Sequence, residues 1–169
     1  MRRTLFENLI RPPLTESAPA EDPEIAALAA SLKAAARARL GRSLAIREVD
    51  AGSCNACELE IHALNNVFYD LERFGLHFVA SPRHADVLLV TGPVTKNMRE
   101  ALERTYNAMP APKWVVAVGD CALDGGCFAR SYAVVGGVGA VIPVDLYIPG
   151  CPPPPLDILK GLLALMEAA

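Results

Sequence analysis

No stretch of this 169-residue chain is apolar for long enough to cross a bilayer. A basic excess is missing as well. Lys and Arg number 16 against 19 Asp and Glu, a formal net charge of −3, so no nucleic-acid footprint is expected. There is no internal repeat. The three histidines, His62, His77 and His84, have no metal-ligand spacing among themselves and read as surface or core residues. An export signal is not expected either. After Met1-Arg2-Arg3, Leu5-Phe6 is broken by Glu7-Asn8, and Leu9-Ile10 by Arg11-Pro12-Pro13, so the apolar stretch of a twin-arginine signal does not form. These absences lead to the expectation of a cytoplasmic protein.

What is present is a globular composition, 52% hydrophobic and 21% charged. A chain of this size can bury a core without disulfide staples. Its mean hydropathy of +0.26 is high for a free-standing small protein, and apolar surface of that kind marks interfaces. Five cysteines remain to be explained. Cytoplasmic thiols stay reduced, so metal or redox chemistry comes before structural disulfides.

Residues 1–22 read as a Pro-broken arm in which Arg2, Arg3 and Arg11 interleave with Leu5, Phe6, Leu9 and Ile10. Such an arm is either a disordered tail or an anchor on a partner subunit or membrane surface. Asp22 then suits an N-cap and Pro23 the first helical position. Ile25, Leu28, Leu32, Ala36 and Leu40 follow at helical spacing, and Gly41 suits the stop. Lys33, Arg37 and Arg39 sit late in this helix, as its macrodipole favours; they read as a solvated face or a docking face.

From Ser43 the pattern alternates. Strands are expected at Leu44–Val49, Leu76–Ala80, Asp86–Thr91 and Lys113–Gly119, with an extended segment at Val141–Tyr147. Helices are expected at Glu58–Leu71, Thr95–Ala108 and Leu156–Ala168. The chain thus divides into an arm and amphipathic helix, 1–43, and an α/β domain, 44–169. Strands alternating with helices imply a mostly parallel sheet covered on both faces. Ligands of such sheets sit at the carboxyl ends of the strands.

Cys54 and Cys57 form a C-x-x-C at the turn after the first strand. Cys121 follows the strand ending at Gly119, and Cys151 lies in Pro149-Gly150-Cys151-Pro152-Pro153 before the last helix. Three separate loops therefore deliver thiols to one edge of one sheet. Four thiolates match a cubane [4Fe–4S] cluster, one per iron, and Pro after the last Cys fits ferredoxin-type ligation. Gly52, Gly119, Gly125, Gly126 and Gly150 supply loops that approach sulfides closely. A thioredoxin-like dithiol would explain Cys54-Asn55-Ala56-Cys57 but leave Cys121 and Cys151 idle. Structural zinc usually takes two paired knuckles, and only one pair exists. Cys127 reads as a free buried thiol, with a substitute ligand for Cys121 as the other reading.

Four ordered motifs carry a family resemblance: Gly52-Ser53-Cys54-Asn55-Ala56-Cys57-Glu58, Thr91-Gly92-Pro93, Gly119-Asp120-Cys121 and Pro149-Gly150-Cys151-Pro152-Pro153. They resemble the small subunit of [NiFe] hydrogenases and the related B subunit of respiratory complex I, from Leu44 to the C-terminus. The complex I subunit carries adjacent cysteines at the first motif, whereas here Asn55-Ala56 separates them, as in hydrogenases. Uptake hydrogenases have a longer small subunit with further clusters and an export signal. The chain is most similar to the short small subunit of energy-converting hydrogenases of the formate hydrogenlyase and hydrogenase-4 type.

The resemblance implies a flavodoxin-like fold and one [4Fe–4S] cluster on Cys54, Cys57, Cys121 and Cys151. The implied partners are a Ni–Fe large subunit, a ferredoxin-like [4Fe–4S] subunit and integral membrane subunits, with the chain peripheral on the cytoplasmic side of the inner membrane. It also implies electron transfer, with catalysis left to the assembled complex. Glu58, directly after Cys57, reads either as a helix-N-terminal carboxylate or as an interface or proton-route residue. Two alternatives stay open: a complex I-like NADH/quinone oxidoreductase subunit, and a zinc-stabilised interaction module.

Overall fold

The computed structural model describes Ile10, Ala20 and residues 22–168. The arm expected over 1–22 lies outside the described residues apart from Ile10, Ala20 and Asp22.

The first helix, α1 (Pro23–Leu40), starts and stops where the capping residues dictate. Asp22 Oδ1 accepts from the Glu24 amide at 2.8 Å, Pro23 occupies the first turn, and Gly41 ends the helix at φ +68°. Ile25, Ala29, Leu32 and Ala36 are buried. Leu28 and Leu40 pack on the same core from partly exposed positions. The helix lies against α5 (Pro155–Ala168).

Five strands form one sheet: β1 (Leu44–Asp50), β2 (Leu76–Phe78), β3 (Val87–Thr91), β5 (Trp114–Val118) and β7 (Leu146–Ile148). Their order is β2-β1-β3-β5-β7, and every pairing is parallel. Counted within the sheet alone this is the 2-1-3-4-5 order of flavodoxin-like folds. A small antiparallel pair, β4 (Val94–Thr95) with β6 (Val134–Gly136), stands apart.

Alternation along the strands makes two cores. Ile46, Leu89, Val116 and Val118 face α1, α2 (Ala56–Ala63) and α5. Leu88, Val90, Val115 and Ala117 face the other way, towards Leu102 of α3 (Lys96–Ala108). Period-2 side chains on a sheet covered by helices on both faces require this division.

Two expected elements differ. The helix expected over Glu58–Leu71 stops at Ala63. Asn66 Oδ1 accepts from the amides of Phe68 at 2.8 Å and Tyr69 at 3.0 Å, turning the chain instead of continuing the helix. The extended segment expected over Val141–Tyr147 is strand only at Leu146–Ile148. A 3₁₀ turn at Val138–Ala140 precedes it. The structure places α2 from Ala56, so Asn55 is its N-cap and adopts φ +72°.

At the sheet's amino-terminal end, Asp86 ties three strands together. It is 3% exposed. Its amide donates to Ala45 O at 2.8 Å and its carbonyl accepts from Trp114 at 3.0 Å. Its Oδ2 accepts from the Ala45 amide at 3.0 Å and from Arg42 Nη1 at 2.9 Å. At the other end the strands finish level. Asp50 pairs with Thr91, Thr91 with Val118, and Val118 with Ile148. Four connections therefore leave the sheet from one rim.

Candidate functional site

That rim carries the cysteines. The first connection is set by Asp50, whose Oδ1 accepts from the amides of Gly52 and Ser53, both at 2.7 Å. This Asx turn reverses the chain and presents Cys54 to solvent. Ser53 Oγ accepts from Asn55 at 3.0 Å, and Cys57 falls in the first turn of α2, buried. The connection after β3 presses against this loop. A Cβ on Gly92 would lie 2.5 Å from the Ser53 amide nitrogen, so only glycine fits there.

The loops after β5 and β7 are bonded to each other. Gly119 donates to Ile148 O at 2.8 Å and Asp120 to Gly150 O at 2.9 Å. Gly150 in turn donates to Asp120 Oδ1 at 2.9 Å. This reciprocal pair fixes the Cys121 loop to the Cys151 loop. Gly119, at φ +89°, joins them to the first motif. A Cβ there would sit 2.6 Å from Cys57 Sγ and 3.4 Å from Gly150 O. Cys121 lies in the short helix α4 (Asp120–Asp124). A Cβ on Gly126 would come within 2.8 Å of its sulfur.

The sulfurs sense one another electrostatically. Burial pushes the Cys57 thiol up to about 12, with further upward pressure from the charges of Glu58, Cys54, Cys121 and Cys151. Burial likewise pushes Cys121 up to about 11, helped by Cys127, Cys151 and Cys54. All four expected cysteines thus lie on one rim, Cys57 and Cys121 buried and Cys54 and Cys151 exposed. Cys127 was expected to be buried. It is exposed, because the positive-φ pair Gly125-Gly126 turns it outward beside Cys121.

Among the described residues, no three His, Cys, Asp or Glu side chains converge as a single metal ion requires. A tetrahedral ion with sulfurs at about 2.3 Å needs those sulfurs about 3.8 Å from one another. A cubane spreads its thiolates over four irons and asks for a wider gathering. The donor set present, four cysteine thiols on glycine-rich loops, has the composition that a cubane takes once they ionise.

Glu58 lies in the first turn of α2, where a helix-N-terminal carboxylate was expected, yet it is 6% exposed and neither of its oxygens has a hydrogen-bond partner among the described residues. Beside it, Arg47, Glu48, His62 and Asn65 line a cleft of about 270 Å³. Sequence reasoning did not single out Asp50 or Asp120. Their signal was available: an aspartate stands directly before the Cys54 loop and another within the Cys121 loop.

Residues 54–165 match the family model described as NADH ubiquinone oxidoreductase, 20 Kd subunit. The chain belongs to this family. The match opens at Cys54 and closes inside α5, so it takes in all four motif cysteines. The chain is 46% identical over 141 residues to formate hydrogenlyase subunit 7 of Escherichia coli (strain K12), which covers 82% of this chain. That bears out the resemblance carried by the motifs. The chain spans 55% of that relative's length.

Among solved structures, the chain is similar to a subunit of the membrane-bound sulfane sulfur reductase, an archaeal respiratory membrane complex. Identity is 36% and the TM-score 0.67, over 82% of this chain and 74% of that one. An NAD⁺-reducing [NiFe]-hydrogenase matches at 22% identity and TM-score 0.59, over 75% of this chain and 93% of that one. The Dm. baculatum [NiFeSe]-hydrogenase matches at 19% and 0.56, over 75% and 63%. The last two speak for the fold alone, and it is the α/β fold expected. No helix among the described residues is long and apolar enough to cross a membrane.

Proposed function

We propose that this 20 kDa-type chain is the electron-transfer small subunit of a membrane-associated hydrogenase-type complex. In this reading Cys54, Cys57, Cys121 and Cys151 hold one [4Fe–4S] cluster. The chain relays electrons between a ferredoxin-like [4Fe–4S] subunit and a Ni–Fe large subunit. Integral membrane subunits hold the assembly, with this chain peripheral on the cytoplasmic side.

The observation that carries the reading is the meeting of three cysteine-bearing connections at one level rim. A bound cluster supplies one-electron transfer. The chain supplies the setting. Burial and mutual repulsion keep Cys57 and Cys121 protonated by themselves, so ionising all four thiols needs a compensating positive centre, as iron provides. Gly119 and Gly126 leave room beside the sulfurs, and Asp120 locks two ligand loops together. Leu59, Leu123 and Phe128, each within two residues of a cysteine, are exposed. They give a partner an apolar surface around the thiols.

Anaerobic preparation of the full chain with iron and sulfide analysis tests this. About four irons per chain and a visible band bleached by dithionite are expected. Replacement of each of the four cysteines by Ser should empty the site, and Cys127→Ser should leave it filled. Iron-free protein, or zinc in its place, would end the reading.

The likeness to the sulfane sulfur reductase favours a second version, in which the same relay serves a large partner without nickel. Nickel in the co-purified complex decides between them.

A further inference from the structure

Charge is divided along the strand axis. Within four residues of Cys54, Cys57, Cys121 and Cys151 the chain carries Asp50, Glu58, Glu60, Asp120 and Asp124 and no Lys or Arg; Arg130 follows further along the Cys121 loop. The opposite end of the sheet reverses this. One cleft there, of about 290 Å³, is lined by Lys33, Arg37, Arg42 and Gly75 among others. A second, of about 360 Å³, is lined by Arg42, His77, Arg83, His84 and Pro110 among others. Arg42 belongs to both, so the clefts adjoin. No carboxylate lines either one. The nearest, Asp86, is 3% exposed and already accepts from Arg42 and the Ala45 amide. In a chain of net charge −3, Lys33, Arg37 and Arg83 thus line two adjacent hollows with no carboxylate among the described lining residues, beside His77, His84 and the already paired Arg42.

We propose that this base docks an acidic protein segment, an extended stretch whose Asp and Glu side chains enter the two clefts. The arrangement selects this occupant. The two clefts adjoin at Arg42, so one extended segment can lay successive carboxylates over both. The chemistry agrees, since planar guanidinium groups match carboxylates bidentately. Arg42 shows the geometry within the chain, gripping both oxygens of Asp86 through its two terminal nitrogens. Placement completes the argument. The base lies at the far end of the strands from Cys54 and Cys151, so an occupant there leaves the exposed thiols free. It anchors the chain and takes no part in electron flow. The acidic rim would repel the same segment, so the charge division also fixes which end it meets.

The inference does not depend on a cluster, and its test is separate. The probe is a fluorescein-labelled decaglutamate peptide, followed by anisotropy with the purified full chain at low and at physiological salt. Arg37→Glu/Arg83→Glu should weaken binding by about tenfold or more. Arg99→Glu/Arg104→Glu makes the same change in net charge on the exposed face of α3, where both arginines pair with α3 glutamates. That control should move affinity less than about twofold. Arg37→Gln/Arg83→Gln should fall between, and circular dichroism checks that each variant is folded. Equal loss in the two charge-reversed variants would overturn the proposal, because net charge alone would then explain binding. So would no binding by the wild type, or binding to phosphatidylglycerol vesicles in preference to the peptide.

Discussion

Asp86 and Glu58 are both buried carboxylates, one at each end of the same sheet, and the chain treats them differently. Asp86 accepts from a guanidinium and a strand amide, so its burial is compensated within the fold. Glu58, nearly as deep, has no partner for either oxygen. A buried polar group without a partner costs roughly 1–3 kcal/mol. The base of the sheet therefore compensates its buried carboxylate, while the rim pairs Asp50 and Asp120 with loop amides and leaves the buried Glu58 without a partner. That is the pattern expected of a scaffold end and a working end.

The largest effect should come from the scaffold end. Asp86→Ala removes the acceptor for Ala45 and Arg42 together and should lower stability by about 3 kcal/mol, read by urea denaturation. Asp86→Asn keeps one acceptor and should cost about half that. A loss below about 1 kcal/mol for Asp86→Ala would mean that water replaces the carboxylate at no cost, and the contrast between the ends would collapse.

Glycines sharpen the comparison, because both ends use left-handed ones. Gly119→Ala places a methyl 2.6 Å from Cys57 Sγ at φ +89°. Backbone strain alone should cost about 2 kcal/mol, and the displaced sulfur should empty the proposed cluster site, read as lost iron and sulfide with far-UV circular dichroism intact. Gly41→Ala is the matching change at the other end. Its φ is +68° and its Cβ meets nothing within 4 Å. It should cost about 1 kcal/mol and leave iron content unchanged.

Glu58→Gln gives a smaller effect of opposite sign. Removing an unpartnered buried charge should leave the isolated chain as stable or more stable by about 1 kcal/mol. Clear destabilisation would show that the carboxylate has a partner after all. Weaker recovery of the assembled complex, with no loss in the isolated chain, would identify the missing partner as a group on another subunit.

The sequence made the centre of the topology legible because β3 and β5 are short Val-rich apolar runs, each closed by Gly. It also carried the cysteine positions, since each thiol follows a strand directly. Asp22, Pro23 and Gly41 mark α1 to the residue because capping is local. What escaped depends on contacts between distant segments. The Asp120–Gly150 clasp joins loops thirty residues apart. Glu58's isolation is a property of its surroundings, and Cys127's exposure depends on where the Gly125-Gly126 turn points it. The early end of α2 was missed for a local reason: Asn66 offers its side chain to two amides, and hydrophobic periodicity does not register that competition.

The smallest effect lies beside the rim, at Glu48. Burial raises its carboxyl above the usual value of 4.5; the charges of Glu58 and Asp50 add to this, and His62 and Arg47 oppose it. The folded chain therefore holds this proton more tightly than the unfolded chain does. Its contribution to stability is present at acid pH and is lost as pH rises through the folded value. Glu48→Gln has no proton to lose, so the variant should gain on the wild type as pH climbs from about 4 to 7. At neutral pH it should be ahead by less than about 1 kcal/mol, because Glu48 is only half-buried and solvent screens it. Urea melts of both proteins at the two pH values measure the difference. A variant that falls behind at neutral pH would mean that His62 and Arg47 outweigh burial. Glu48 would then join Asp86 among the satisfied carboxylates, and Glu58 would be the lone exception at its end of the sheet.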